Sequence, residues 1–352
     1  MKETIVSGIR ASGKLHVGNY LGALKQFIQL QEEQNNCFFF IADLHAITTP
    51  FEPKELTENT LNVAADYLAA GIDPKKSTFF LQSQVLEHAT LGWIFNCLTS
   101  LGELQRMTQF KEKSAQSNGF EKQENNRLFK NDGLEEKKLK IARKMIGSNI
   151  NTGLLVYPTL MAADILIYKP TAVPVGDDQT QHVELTRDIA RKFNNRFGQT
   201  FPEPKTYLRK PLRIMSLTDP GKKMSKTGDE ALMLDDEPAE ILRKLKKAVT
   251  ATDAKQKSSG VDNLFLLLEH FGHDEEKKHF AEQQKKNTIK YSDLKETLAK
   301  DIANHFETFR DKKQQLMGNK KKIIEILAEG AKKAKKTAGE TLAEVKQKIG
   351  LI

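Results

Sequence analysis

Two widely separated stretches carry the residue types that handle phosphate. The first, Gly8-Ile9-Arg10-Ala11-Ser12-Gly13-Lys14, opens like a P-loop, but the next position is Leu15. A P-loop needs a serine or threonine hydroxyl there to hold magnesium, so that reading fails. Just downstream, His16-Val17-Gly18-Asn19 stands where the loop after the first strand turns into a helix. Free N–H groups and partial positive charge at a helix start favour phosphate. His16 adds a donor, Gly18 leaves room for a flat base, and Asn19 supplies further hydrogen bonds. The second stretch, Gly221-Lys222-Lys223-Met224-Ser225-Lys226-Thr227, lies in a loop punctuated by glycine and proline. Lys223 and Lys226, three apart beside the Ser225 hydroxyl, suit the clamping of a departing pyrophosphate, where a transition-state contact raises the rate. Each stretch taken alone is a weak signal: the first also reads as a plain loop-to-helix junction, and a lysine-rich loop by itself is usually a solvated surface.

The elements that must position these residues alternate. Thr4–Val6, Cys37–Ile41, Thr78–Leu81 and Ala172–Val175 read as short apolar strands. Gly18–Glu33, Glu55–Ala70, His88–Leu104 and Gln179–Phe193 read as helices, with Gly71 placed as a C-terminal stop. This β-α-β-α order predicts an α/β fold: a Rossmann-like parallel sheet with helices on both faces. Ligands collect at the carboxyl ends of such strands. The polar clusters Ser7–Ser12, Asp43–His45, Gln82–Ser83 and Gly176–Asp178 all follow strands and are expected to share one edge. Residues 114–148 are polar and lysine-rich, and read as an insertion. From about Asp235 the chain is charged and helix-forming, with helical spacing over Glu237–Val249, Asn263–Phe271, Ser292–Phe309 and Lys320–Ala331. The expected domains are therefore a catalytic unit over 1–234 and an all-helical C-terminal unit over 235–352. Lysines at 321–322 and around 332–336 could touch phosphates, or simply form a solvated helix face.

Bulk properties bound these readings. The chain has 352 residues, of which 39% are hydrophobic, enough for a large core, and two domains are the natural expectation. A formal net charge of +9 suits a polyanionic partner without requiring one. Cys37 and Cys97 both sit in apolar runs and are expected to be buried thiols. Two isolated cysteines build neither a four-cysteine zinc site nor an iron–sulfur cluster, so no protein-bound metal is expected. No signal-peptide core and no apolar run of about 18 residues is present, which predicts no membrane span and a cytoplasmic setting.

Together the two phosphate-handling stretches resemble the H-I-G-H and K-M-S-K-S signatures of class I aminoacyl-tRNA synthetases, in the order and separation of the tyrosyl/tryptophanyl branch. Three more blocks are similar to bacterial tryptophanyl enzymes: Tyr157 to Leu166, Val175 to Asp188, and Gly102 to Lys111. The resemblance runs from Ser7 to Ala331. It implies tryptophan and ATP as substrates, Mg²⁺ carried with ATP, tRNA(Trp) as partner, and a homodimer with the helical region reading the anticodon. By resemblance, His16, Lys223, Ser225 and Lys226 are catalytic. Arg10, Ala11, Ser12, Gly18, Asn19, Gly176, Asp177, Asp178, Ile214, Met224 and Thr227 complete the ATP site, and Lys113 is a further phosphate contact. Asp164, Met161, Tyr157, Gln179, His45 and Gln109 line the amino-acid site.

The residue chemistry agrees with that transfer. Met161 and Asp164 are three apart on one helix and share a face. An indole N–H only donates, so a buried Asp164 carboxylate suits it, and a thioether packs well on an aromatic edge. A tyrosyl enzyme is the near alternative, but a phenol both donates and accepts and calls for two polar readers. A nucleotidylyltransferase would lack the paired lysines, and a non-catalytic RNA-binding relative would be free to lose His16, Gly18, Lys223 and Lys226. Departures from the family pattern are Thr227 for the usual serine, Arg10-Ala11 for the common Gln-Pro, and the long 114–148 segment.

Overall fold

The computed structural model describes residues 2–11, 13–111, 151–176, 179–207, 212–225, 228–250 and 259–351. Among these residues, five parallel strands form one sheet in the order β3-β2-β1-β4-β5: β1 Thr4–Arg10, β2 Asn36–Ala42, β3 Thr78–Leu81, β4 Ala172–Val173 and β5 Lys205–Thr206. β1 runs beyond the expected Val6 because seven successive residues pair with β2, from Thr4 with Asn36 to Arg10 with Ala42. Gly8 permits this pairing, since a Cβ there would lie 2.5 Å from the Phe40 ring.

The strands are buried on both faces, as a parallel sheet requires. Along β2, Phe39 and Ile41 join one apolar cluster while Phe38 and Phe40 join another. This is the two-residue alternation of a strand. Phe39 stacks on Phe27 with centroids 4.9 Å apart, and Phe38 stacks on Tyr168 at 4.3 Å. The first face is covered by the helical run α1 Val17–Asn19, a π-helical turn at Tyr20–Leu24 and α2 Lys25–Glu32, and by α4 Pro53–Ala70. A four-residue helix, α3 Asp43–Ala46, caps the end of β2. The second face is covered by α5 Glu87–Asn96, α6 Leu101–Gln105, α7 Thr152–Leu166 and α8 Thr180–Phe197. α4 ends at Gly71, whose φ of +122° favours glycine, as its sequence position implied.

Three helices differ from their sequence patterns. The helix expected over His88–Leu104 is two, because Ser100 starts a new one: its side chain accepts the Glu103 N–H and Glu103 returns a bond to the Ser100 N–H. Cys97 lies at this break and is exposed, contrary to the expected buried thiol, whereas Cys37 is buried. Burial pushes the Cys37 thiol up to about 12. The helix expected over Ser292–Phe309 breaks at Phe306, and the one starting at Lys320 continues well past Ala331.

The C-terminal helices are α9 Pro238–Lys247, α10 Ser259–Phe271, α11 Asp274–Lys285, α12 Tyr291–His305, α13 Glu307–Gly318 and α14 Lys320–Ile349. α13 packs on α4. α14 returns to the sheet and lies along β3, so close that a Cβ on Gly330 would sit 1.8 Å from the Phe79 carbonyl oxygen. The edge strand is thereby shielded from pairing with another chain. The α14 lysines at 332, 333, 335 and 336 face solvent. Among the described residues, no helix is long and apolar enough to cross a membrane.

Candidate active site

The carboxyl ends of β1 to β4 meet at one rim, as the sequence order requires. Asp164 lies at the centre of one side, on the buried face of α7, 1% exposed. Its Oδ1 accepts from Gln82 Nε2 at 2.7 Å and from His88 Nδ1 at 2.6 Å, while Oδ2 accepts from His45 Nε2 at 2.7 Å. A carboxylate has about four acceptor directions, and these residues take three. Burial pushes the Asp164 carboxyl up, but the bonds and charges of His45 and His88 outweigh it and bring it down to about 2. On its far side, His88 Nε2 meets the Tyr168 hydroxyl at 2.7 Å. Burial raises Tyr168 strongly, so its hydroxyl stays neutral. His88 thus bridges the Tyr168 hydroxyl and the Asp164 carboxylate.

Tyr157, Met161 and Asp164 lie at i, i+4 and i+7 on α7, one face of the helix. Tyr157 and Met161 are half-buried. The Tyr157 hydroxyl donates to Gln109 Oε1 at 3.1 Å and meets His182 Nε2 at 2.8 Å. Its ring lies edge-on to His45 with centroids 6.2 Å apart. The Gln179 N–H donates to the Gly176 carbonyl at 2.9 Å, at the start of α8. Of the residues expected around an amino-acid substrate, His45 therefore meets Asp164, Gln109 meets Tyr157, and Met161 shares their helix face, while Gln179 stands at the start of α8. Sequence reasoning passed over Gln82, His88, Tyr168 and His182 as members of this group. The only early signal was the placing of Gln82 in a polar cluster after a strand.

The other side of the rim is built around His16. The Asn19 side chain accepts the His16 N–H at 3.1 Å. The backbone on either side is pinned to the chain after the lysine loop: Val17 N–H donates to Leu232 O at 2.8 Å, and Leu234 N–H to Leu15 O at 3.0 Å. Leu15 itself is 1% exposed, in keeping with the failure of the P-loop pattern. Gly18 faces Ile214, whose Cβ would be 3.6 Å from a Cβ at Gly18. The lysine loop folds back on the segment carrying Ile214: Met215 bridges Lys223, and Met224 N–H donates to Ile214 O at 3.0 Å. Met224 is buried, and Ser225 Oγ donates to Glu230 Oε2 at 2.5 Å. Ala11 is buried in the core. Arg10 Nη2 donates to the Ala46 carbonyl at 3.2 Å and to Thr49, so its guanidinium is turned toward the end of α3. Ser12, Lys113, Asp177, Asp178, Lys226, Thr227 and the 114–148 segment lie outside the described residues.

At this rim of an α/β sheet a histidine loop and a lysine hairpin lie on one side and a buried carboxylate on the other. Comparison with known proteins makes the class specific. The family of tRNA synthetases class I (W and Y) matches residues 2–307. The tryptophan–tRNA ligase of Caldanaerobacter subterraneus subsp. tengcongensis is 43% identical over 361 residues, spanning 99% of this chain and 98% of that protein. The tryptophanyl-tRNA synthetase of Mycoplasma pneumoniae superposes with a TM-score of 0.80 at 36% identity, over 100% of this chain and 99% of that one. The Campylobacter jejuni enzyme, solved with ADP and tryptophan, does so with a TM-score of 0.81 at 34% identity, over 99% and 100%. The chain belongs to the class I tRNA synthetases of the W and Y family.

Proposed function

We infer that the chain is a tryptophan–tRNA ligase. It activates L-tryptophan with ATP and transfers the tryptophanyl group to tRNA. The observation that carries the choice of amino acid is Asp164, a buried, ionised carboxylate three-quarters satisfied by Gln82, His88 and His45. Its remaining acceptor direction suits a group that only donates, as the indole N–H does. Met161 and Tyr157 on the same helix face supply the apolar walls, and Gln109, bonded to Tyr157, and Gln179, at the start of α8, are assigned to the amino and carboxylate groups.

In the first step a tryptophan carboxylate oxygen attacks the α-phosphorus of ATP. The bond from that phosphorus to the bridging oxygen breaks, and pyrophosphate leaves with Mg²⁺. No protein nucleophile takes part, so the rate comes from positioning and from charge stabilisation of the phosphates. Gly18 and Ile214 bound the adenine, Gly176, Asp177 and Asp178 hold the ribose, and His16 and Asn19 with Arg10, Ala11 and Ser12 form the phosphate loop. Lys223, Ser225 and Lys226 follow the departing pyrophosphate, with Met224 and Thr227 completing the ATP site and Lys113 adding a phosphate contact. In the second step a hydroxyl of the terminal adenosine of tRNA(Trp) attacks the tryptophanyl carbonyl and AMP leaves.

The helical region from Asp235 onward reads the anticodon in this account, and the enzyme works in the cytoplasm as a homodimer. Leu86 and Trp93, each 69% exposed and about two helical turns apart, offer exposed apolar side chains suited to a second copy. Charging of tRNA with labelled tryptophan tests the reading. Tryptophan incorporated without tyrosine supports it, and tyrosine incorporated instead overturns the substrate while keeping the reaction.

A further inference from the structure

The segment that presents His16 is held by a network of four charged side chains, one of them from the C-terminal helices. Lys313, on α13, is 6% exposed. Its Nζ lies 2.6 Å from Asp66 Oδ1 on α4 and 2.9 Å from Asp235 Oδ2, just after the Leu232–Leu234 stretch that pins His16. The same Asp235 oxygen takes Lys14 Nζ at 3.1 Å. Asp66, wholly buried, accepts the Leu15 N–H on its other oxygen at 3.3 Å. Leu15 therefore has its N–H on Asp66 and its carbonyl on Leu234, and His16 follows directly. Burial pushes Asp66 up to about 6 even against the pull of Lys313, so this carboxylate depends on that lysine to stay ionised.

We propose that Lys313 is a positioning residue for ATP activation: seated between Asp66 and Asp235, it holds the Leu15–His16 backbone in place and ties adenylate formation to the docking of α13. The inference rests on the tryptophan–tRNA ligase reading and adds a component from outside the nucleotide loop. Removing the lysine strands the buried Asp66 carboxylate without its cation and leaves the half-buried Asp235 with Lys14, whose side chain is 58% exposed. A buried carboxylate that loses its cation either takes up a proton or moves toward water. Either change loosens the acceptor of the Leu15 N–H. A displacement of about 1 Å at a positioning group costs on the order of a hundredfold in rate. The amino-acid pocket around Asp164 shares no residue with this network, so tryptophan binding should be untouched.

The experiment is pyrophosphate exchange with tryptophan, expressed per active site by titration of bound adenylate. Lys313→Met is expected to lower kcat by roughly ten- to a hundredfold with the tryptophan KM within twofold of wild type. The double variant Lys313→Met with Asp66→Asn keeps an acceptor for the Leu15 N–H without a stranded charge, and is expected to recover most of that loss. A kcat within twofold of wild type in Lys313→Met would overturn the proposal. So would a parallel rise in tryptophan KM, or a failure of the double variant to recover, since both indicate general support of the fold. Where Lys313→Met does not fold, Asp235→Asn carries the same test, with at least a threefold fall in kcat expected and no fall refuting it. Failure of the wild-type protein to exchange with tryptophan would instead strike the ligase reading itself.

Discussion

Replacing Asp164 with asparagine keeps the shape of the α7 pocket and changes only its charge and donor pattern. An amide has one acceptor oxygen where the carboxylate has two. Gln82 and His88 both donate to Oδ1, so the amide oxygen is held on that side. The amide nitrogen then takes the Oδ2 position, beside His45. There it would meet the indole N–H donor to donor. The lost bond was charge-assisted, worth about 1.5–3 kcal/mol, and the buried N–H left unmade costs about 1–3 kcal/mol more. Taking about 3 kcal/mol for the two effects together, the tryptophan KM is expected to rise on the order of a hundredfold. The kcat should change much less, because the attacking carboxylate and the α-phosphorus lie away from the ring. Pyrophosphate exchange over a range of tryptophan concentrations measures both. A KM within threefold of wild type, in protein whose circular dichroism and melting are native, would refute the assignment of Asp164 to the indole.

Other perturbations probe separate parts of the account. Lys223→Ala should lower kcat for adenylate formation by roughly a hundredfold, with little change in ATP binding measured at equilibrium. Equal losses in both would make the loop a ground-state binder. Trp93→Asp places a charge in the exposed apolar surface and should yield a monomer by sedimentation, and a retained dimer would locate the interface elsewhere. Asp164 is held below its ordinary value of 3.8, at about 2, so it favours the native state above about pH 4 and loses that contribution as pH falls toward 2. The stability difference between wild type and Asp164→Asn, from denaturant midpoints, should therefore be constant from pH 7 to 5 and shrink by about 2 kcal/mol by pH 2. A difference that grows with acid would contradict the sign.

The sheet was legible because its strands are short apolar runs ending in polar clusters, and helices between them force a parallel order. Asp164 stood out because a carboxylate among Leu160, Met161, Ile165 and Leu166 is not a surface charge. Its partners did not stand out. Gln82 and His88 lie far from Asp164 in the chain, and only the packing of α5 on α7 brings His88 to it. Helix breaks at Ser100 and Phe306 escaped the apolar periodicity, which continues across both. Cys97 was misplaced for the same reason, since an apolar neighbourhood does not say which way a residue at a helix end points. The Lys313 network was invisible because it joins four charged residues from four separate segments, each of which reads alone as a solvated side chain.

Pyrophosphate exchange into ATP, run with each of the twenty amino acids in turn and Mg²⁺ present, tests the central claim most directly. Exchange with tryptophan alone is the predicted result. Exchange with another amino acid in place of tryptophan, or with none from folded protein, would contradict the account.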